Sequence, residues 1–186
     1  MSELSAAPEL FRRAVASLAC VRPRPEVQLG PIRSPQRLAP WSHALGAEVV
    51  VDARELATAR LVLLHDPDGQ EAWGGTLRIV AYVRAELETE FAGDPLLPEV
   101  GWSWLTDALR GAGAAHTALG GTVTQTSSAR FGDIAGPERT DDVELRASWT
   151  PEGPELAAHA RAFCDLIAAA AGLPPVGVAT LVQRHG

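Results

Sequence analysis

The chain contains no lysine: all 16 of its basic residues are arginine. Catalysis through a lysine Schiff base and the lysine of a phosphate-cradling loop are therefore excluded by inventory. Cysteine is nearly as scarce. Cys20 and Cys164 are too few and too far apart for a zinc site or a disulfide framework. Each falls among apolar residues on an expected helix, where a small buried thiol fits. Positive charge is also in short supply, with 23 acidic residues against 16 basic ones and a net charge of −7. That balance argues against a protein that lives by neutralising phosphates, and no contact with DNA is expected. No basic flank leads into an apolar run near the amino terminus, so no secretory signal is expected. The longest apolar stretch, residues 166–182, is cut by Gly172, Pro174, Pro175 and Gly177 and cannot cross a bilayer as one helix. The expected location is cytoplasmic, without membrane attachment.

What the chain does contain is ordinary core-forming material. Its 186 residues are 46% apolar and 21% charged, enough for one domain with a buried core and no staples. A first helix is expected over residues 8–20, capped by Ser5 and carrying Leu10, Phe11, Ala14, Val15 and Leu18 as one stripe. Residues 22–41 read as a proline-rich arm with a short edge strand at 27–29, pinned to the core by Trp41. Strands are expected at 47–51, 60–65, 76–86, 116–131 and 142–149. Asp52 opens a turn, and Asp66-Pro67-Asp68-Gly69 has the chemistry of the turn that closes an antiparallel hairpin.

In segment 76–86 the alternation sends Leu77, Ile79, Ala81 and Val83 one way and Arg78, Val80, Tyr82 and Arg84 the other. In segment 142–149, Val143, Leu145, Ala147 and Trp149 face inward while Asp142, Glu144, Arg146 and Ser148 face water. A second helix, over 98–110, places Leu97, Gly101, Trp104, Leu105 and Ala108 on one face; residues 132–140 form a loop. A third, over 154–171, buries Leu156, Ala160, Phe163, Cys164, Ile167 and Ala171. The tail, 173–186, folds back as a short strand. The whole reads as a single α+β domain: a mainly antiparallel sheet of five or six strands with three helices on one of its faces.

Few constellations carry chemistry. His65, Asp66 and Glu71, with Asp68, His43 and His116 available, offer oxygen and imidazole ligands for a divalent ion. A structural turn accounts for the same residues, because a calcium loop needs more ligands at other spacings. Gly101-Trp102-Ser103-Trp104-Leu105 lacks the second glycine of a nucleophile elbow, and no strand leads into it. Glu86, Glu88 and Glu90 read as one solvated edge. Gly74-Gly75 and Gly120-Gly121 lack the spacing of phosphate-binding loops. No catalytic residue, metal or cofactor is expected.

Half of the ten aromatic residues are tryptophan. Trp104 and Trp149 fall on core faces. Trp102 lies about 160–200° from the apolar centre line of its helix. Two readings stay open for it: an exposed indole that anchors a partner, or an indole covered by a second layer such as the arm with Trp41. Trp102, Trp73, Arg84 and Tyr82 are the candidate binding residues, and a protein is the expected partner. A weaker option is RNA, bound through Arg78 and Tyr82 on an open strand face. The alternative of another class is a hydrolase or nucleotide-processing enzyme using His65, Asp66 and Glu71 with a divalent ion.

Several longer stretches carry a resemblance. Arg37-Leu-Ala-Pro-Trp41, Leu63-Leu-His-Asp-Pro67 through Glu71-Ala-Trp73, Tyr82-Val-Arg-Ala-Glu-Leu87, residues 94–105 and Ala147-Ser-Trp-Thr-Pro151 together resemble an actinobacterial family, domain of unknown function 3000. The resemblance spans nearly the whole chain. It implies no established activity or catalytic residues. Its genes often lie beside one for a ribonuclease-D-like exonuclease, which implies a link to RNA metabolism.

Overall fold

Alternation decides the sheet. The computed structural model describes residues 6–88, 90–134, 136 and 139–176, so Ser5 as a helix cap and the tail from residue 177 lie outside it. The described elements are α1 (Glu9–Ala19), β1 (Val27–Ile32), β2 (Trp41–Val51), β3 (Arg54–Gln70), β4 (Gly75–Glu86), α2 (Leu97–Gly111), β5 (His116–Ser128), β6 (Thr140–Pro151) and α3 (Ala157–Ala170). They form one six-stranded antiparallel sheet in the order β1-β2-β3-β4-β6-β5. The first four strands meander. The chain then crosses through α2 to the far edge as β5, and β6 returns between β5 and β4. This is the α+β sheet with three helices that the sequence predicts.

Leu61, Leu63, Leu77, Ile79, Ala81, Val143, Leu145 and Trp149 point to one side and are buried beneath the helices. Helix α3 lies over β1 to β4 with α1 and α2 beside it, while α2 sits on β5 and β6. Enclosed on nearly every side, α3 buries Ala162, Leu166, Ala168 and Ala170 as well as most of its expected stripe. It starts three residues later than predicted because its first free N–H is capped from α1: Ala157 N donates to Ser17 Oγ at 2.9 Å. Leu10 falls outside the stripe of α1 and stays exposed. Trp41 meets Phe11 with centroids 6.4 Å apart, fastening the arm as expected.

Five strands are longer than the sequence indicates, β2 and β3 most of all, β5 stops at Ser128 instead of residue 131, and one turn is displaced. β2 begins at Trp41, directly after Pro40. It joins β3 through Asp52 and Ala53, both left-handed with φ of 49° and 62°. That is the two-residue hairpin geometry glycine normally supplies. Asp66-Pro67-Asp68-Gly69 is not the turn. It forms an irregular stretch inside β3, between the pairs His65↔Leu77 and Gln70↔Gly75. The reversal falls on a 3₁₀ turn at Glu71–Trp73, closed by Gly74 at φ 63°. Bulges and turns use the same residue types, so the motif misplaces the reversal by a few residues.

Helix α3 buries two titratable side chains, His159 and Cys164. Trp149 Nε1 donates to His159 Nδ1 at 3.0 Å, so the buried imidazole accepts there and is neutral. Its pKa is pushed down to about 4, first by burial and then by facing His116. Cys164 is buried and inert, its thiol pushed up to about 12 by burial and then by Asp165. Cys20, expected to be buried, is instead exposed at the end of α1. Among the described residues, no helix is long and apolar enough to cross a membrane.

Candidate functional site

The helices cover one face of the sheet and leave the other to the arm and solvent. Because opposed residues in an antiparallel ladder point the same way, the outer face can be read in rows across the strands. One row is Gly30, Gly46, Arg60, Tyr82, Arg146 and Thr122. On one side of it lies an apolar row containing Ala44, Val62 and Val80. On the other lies Glu48, Thr58, Arg84 and Glu144.

Tyr82 is the centre of this arrangement. The Arg146 guanidinium carbon stands 5.4 Å from the centre of its ring, a cation–π contact. The phenol donates to Glu144 Oε1 at 3.0 Å, and Glu144 also accepts from Arg146 at 3.2 Å. Burial, then the bond to Glu144, raises the phenol's pKa, so it remains a neutral donor. Arg84 is held by Asp142 at 2.7 Å. Arg78 donates to the Ala118 carbonyl, Thr150 Oγ1 and Ser148 Oγ, which uses its fork in binding the sheet together. Arg60 and Arg33 are exposed and form no ion pair among the described residues.

A concavity lies between the row and the arm, and Gly46 beside Arg60 lets Ile32 at the root of the arm sit close on the sheet. The concavity measures about 1160 Å³ and is lined by Arg60, Tyr82, Val62, Val80, Glu48 and the arm residues from Arg33 to Gln36. A Cβ on Gly46 would come within 2.8 Å of Ile32. The arm is held there by Ser42 Oγ donating to the Pro35 carbonyl at 2.9 Å. The surface so formed has an apolar floor, an aromatic ring and unpaired guanidinium groups.

Of the four residues singled out from the sequence, Tyr82 and Arg84 come together here. Trp73 is buried in the 3₁₀ turn beyond the start of β4, where its carbonyl accepts from Thr150. About seven residues of strand separate that end from Tyr82, roughly 23 Å. Trp102 is on the opposite, helix-covered side and packs over Gly121, where an added Cβ would come within 2.9 Å of Trp102 Cζ3. What covers the indole is therefore β5, not the arm. Trp104, expected in the core, is half-buried and lines an apolar hollow with Phe91 and Leu87.

The proposed metal ligands diverge. His65 is buried on the helix side, stacked on Phe11 at 5.9 Å, and its Nδ1–H donates to the Thr76 carbonyl at 2.9 Å. Asp66 accepts from Asp68 N at 3.1 Å and Gln70 Nε2 at 3.2 Å. Glu71 is exposed in the 3₁₀ turn, and His116 Nδ1–H donates to the Ala114 carbonyl at 2.7 Å. Among the described residues, no group of three or more histidine, cysteine or acidic side chains could hold a metal ion.

Sequence reasoning missed Arg60, Arg146 and Gly46. Alternation along 58–64 would have placed Arg60 on the same side as Val62, but the register that sets it beside Tyr82 has no local signal. No curated protein and no solved structure matches this chain. A family model described as "Protein of unknown function (DUF3000)" matches residues 7–179, and the chain belongs to that family.

Proposed function

We propose that this protein is a non-enzymatic cytoplasmic binding or adaptor domain, and that it holds an extended segment of a partner protein along the outer-face groove. The observation that carries this reading is the Arg60–Tyr82–Arg146 row beside an open concavity of about 1160 Å³. An aromatic ring, free guanidinium groups and an apolar floor are the components of a protein-recognition surface. A link to RNA metabolism would run through that partner, since a chain of net charge −7 is poorly suited to bind RNA itself.

The test places a photo-crosslinking phenylalanine derivative at position 82 and exposes the protein to an extract of its own source cells. The expected result is one protein adduct that survives nuclease treatment and is lost when Arg60→Glu is added. The same probe at Arg13, on the helix side, should not form that adduct. Equal labelling from both positions, an adduct with RNA alone, or no adduct at position 82 would each overturn the proposal.

A further inference from the structure

The two edges of the sheet are built differently. β1 carries Gly30 and Pro31, and the arm follows it directly. Such devices blunt an edge against pairing with another strand. β5, at the opposite edge, runs for 13 residues and, among the described residues, pairs with β6 alone. From His116 to Ser128 it contains no proline, aspartate, glutamate or arginine. Its one irregularity lies between Thr117 and Gly120, where Ala118 adopts φ 51°; from Gly120 to Ser128 its register with β6 is unbroken. About nine residues of regular backbone therefore run along an uncharged edge, and alternate ones turn their N–H and C=O groups away from β6.

We infer that β5 pairs antiparallel with β5 of a second copy of this chain, joining the two sheets into one. Three observations favour a second copy over another partner. The first is self-complementarity. In an antiparallel ladder, opposed residues share a face, so registers that keep the helices of both copies on one side pair even-numbered residues with even-numbered ones. In the register centred on Thr124, Thr124 meets its counterpart and Thr122 meets Thr126 of the other copy, all exposed on the outer face, a favourable cross-strand pairing.

The second is the absence of charge along the strand, which lets identical edges meet without like-charge opposition. The third is Trp102. It rests on Gly121 above the last strand, half-buried and still partly open. A second strand beside β5 would give this indole a neighbour at the seam, as aromatic anchors have at the centres of interfaces.

The experiment is sedimentation velocity on the full chain across roughly 1–200 μM, beside the double variant Thr122→Lys/Thr124→Lys and the single variant Tyr82→Ala. Both lysine positions are exposed, so far-UV circular dichroism and the melting temperature should match the parent. The parent and Tyr82→Ala are expected to sediment at twice the monomer mass, whereas the lysine variant should be monomeric or at least tenfold weaker in association. Added salt should strengthen the parent dimer by screening its two acidic copies.

A direct readout uses Thr124→Cys in a Cys20→Ser background, which should form a covalent dimer on mild oxidation. Gln28→Cys on β1 in the same background should not. A parent that remains monomeric across the whole range, or a lysine variant that dimerises like the parent, would overturn the inference. Because Tyr82 belongs to the groove alone, loss of dimer in Tyr82→Ala would also refute it, while leaving the proposed groove to its own test.

Discussion

Acid should loosen this fold through one buried imidazole. His159 is 3% exposed and accepts the Trp149 indole N–H, which requires its Nδ1 to be unprotonated. Burial, followed by the facing His116, lowers its pKa from 6.5 to about 4, with the Ala115 carbonyl acting weakly in the opposite direction. A histidine whose folded pKa lies below its unfolded value binds protons preferentially in the unfolded chain. Its neutral form therefore contributes full stability above about pH 6.5, and that contribution is lost as pH falls toward 4.

At 1.36 kcal/mol per pKa unit, the loss from this group is about 2 kcal/mol by pH 5 and about 3 kcal/mol by pH 4. A domain with a total stability of about 5–15 kcal/mol would feel it clearly. Urea denaturation followed by tryptophan fluorescence at pH 7.5, 6, 5 and 4.5 measures it. The control is His159→Asn, which keeps an acceptor for the indole and does not titrate in this range. The variant will start lower because its side chain is smaller, but its stability should fall by about 2 kcal/mol less than the parent's between pH 7 and 5. Parallel pH profiles for the two proteins would refute the assignment, since the shared carboxylates would then account for the whole effect.

Two further outcomes follow from the backbone and the thiols. Ala53→Gly should raise stability by about 0.5–1 kcal/mol, read from the denaturation midpoint, because glycine removes the left-handed cost at φ 62° and returns only part of it as unfolded-state entropy. A thiol-reactive disulfide reagent at pH 8 should titrate one cysteine per native chain, Cys20, and two after unfolding, because burial holds the Cys164 thiol near 12.

What the sequence made legible depended on how plainly each element divides water from core. From Thr140 to Trp149 β6 alternates because one side touches helices and the other faces outward, which is why Val143, Leu145, Ala147 and Trp149 are legible as core; Thr150, buried in its turn, ends the pattern. The same alternation set Tyr82 and Arg84 on one face of β4. β3 was cut short because Asp66, Pro67, Asp68 and Gly69 are the residues of a turn, and here they serve a bulge. The helix indoles misled for a related reason. Helix α2 is clamped between β5 and α3, so Trp102 and Trp104 each find a packing partner on a different side. A single apolar stripe cannot describe a helix gripped in this way. The row that joins Arg60 to Tyr82 and Arg146 depends on pairing between distant segments, and no local pattern encodes it.

The strand order has a consequence for how the chain comes together during synthesis. β1 to β4 can assemble from near neighbours as they emerge, but β6 occupies an inner place in the sheet and arrives almost last. Until it does, β5 has nothing to pair with and β4 is itself a free border, with Ile79, Ala81 and Val83 uncovered. Closing that gap waits on contacts across more than sixty residues of intervening chain, from Ile79 to Trp149, which delays assembly. A nascent polypeptide paused in the 129–139 segment should consequently be the species most in need of a chaperone.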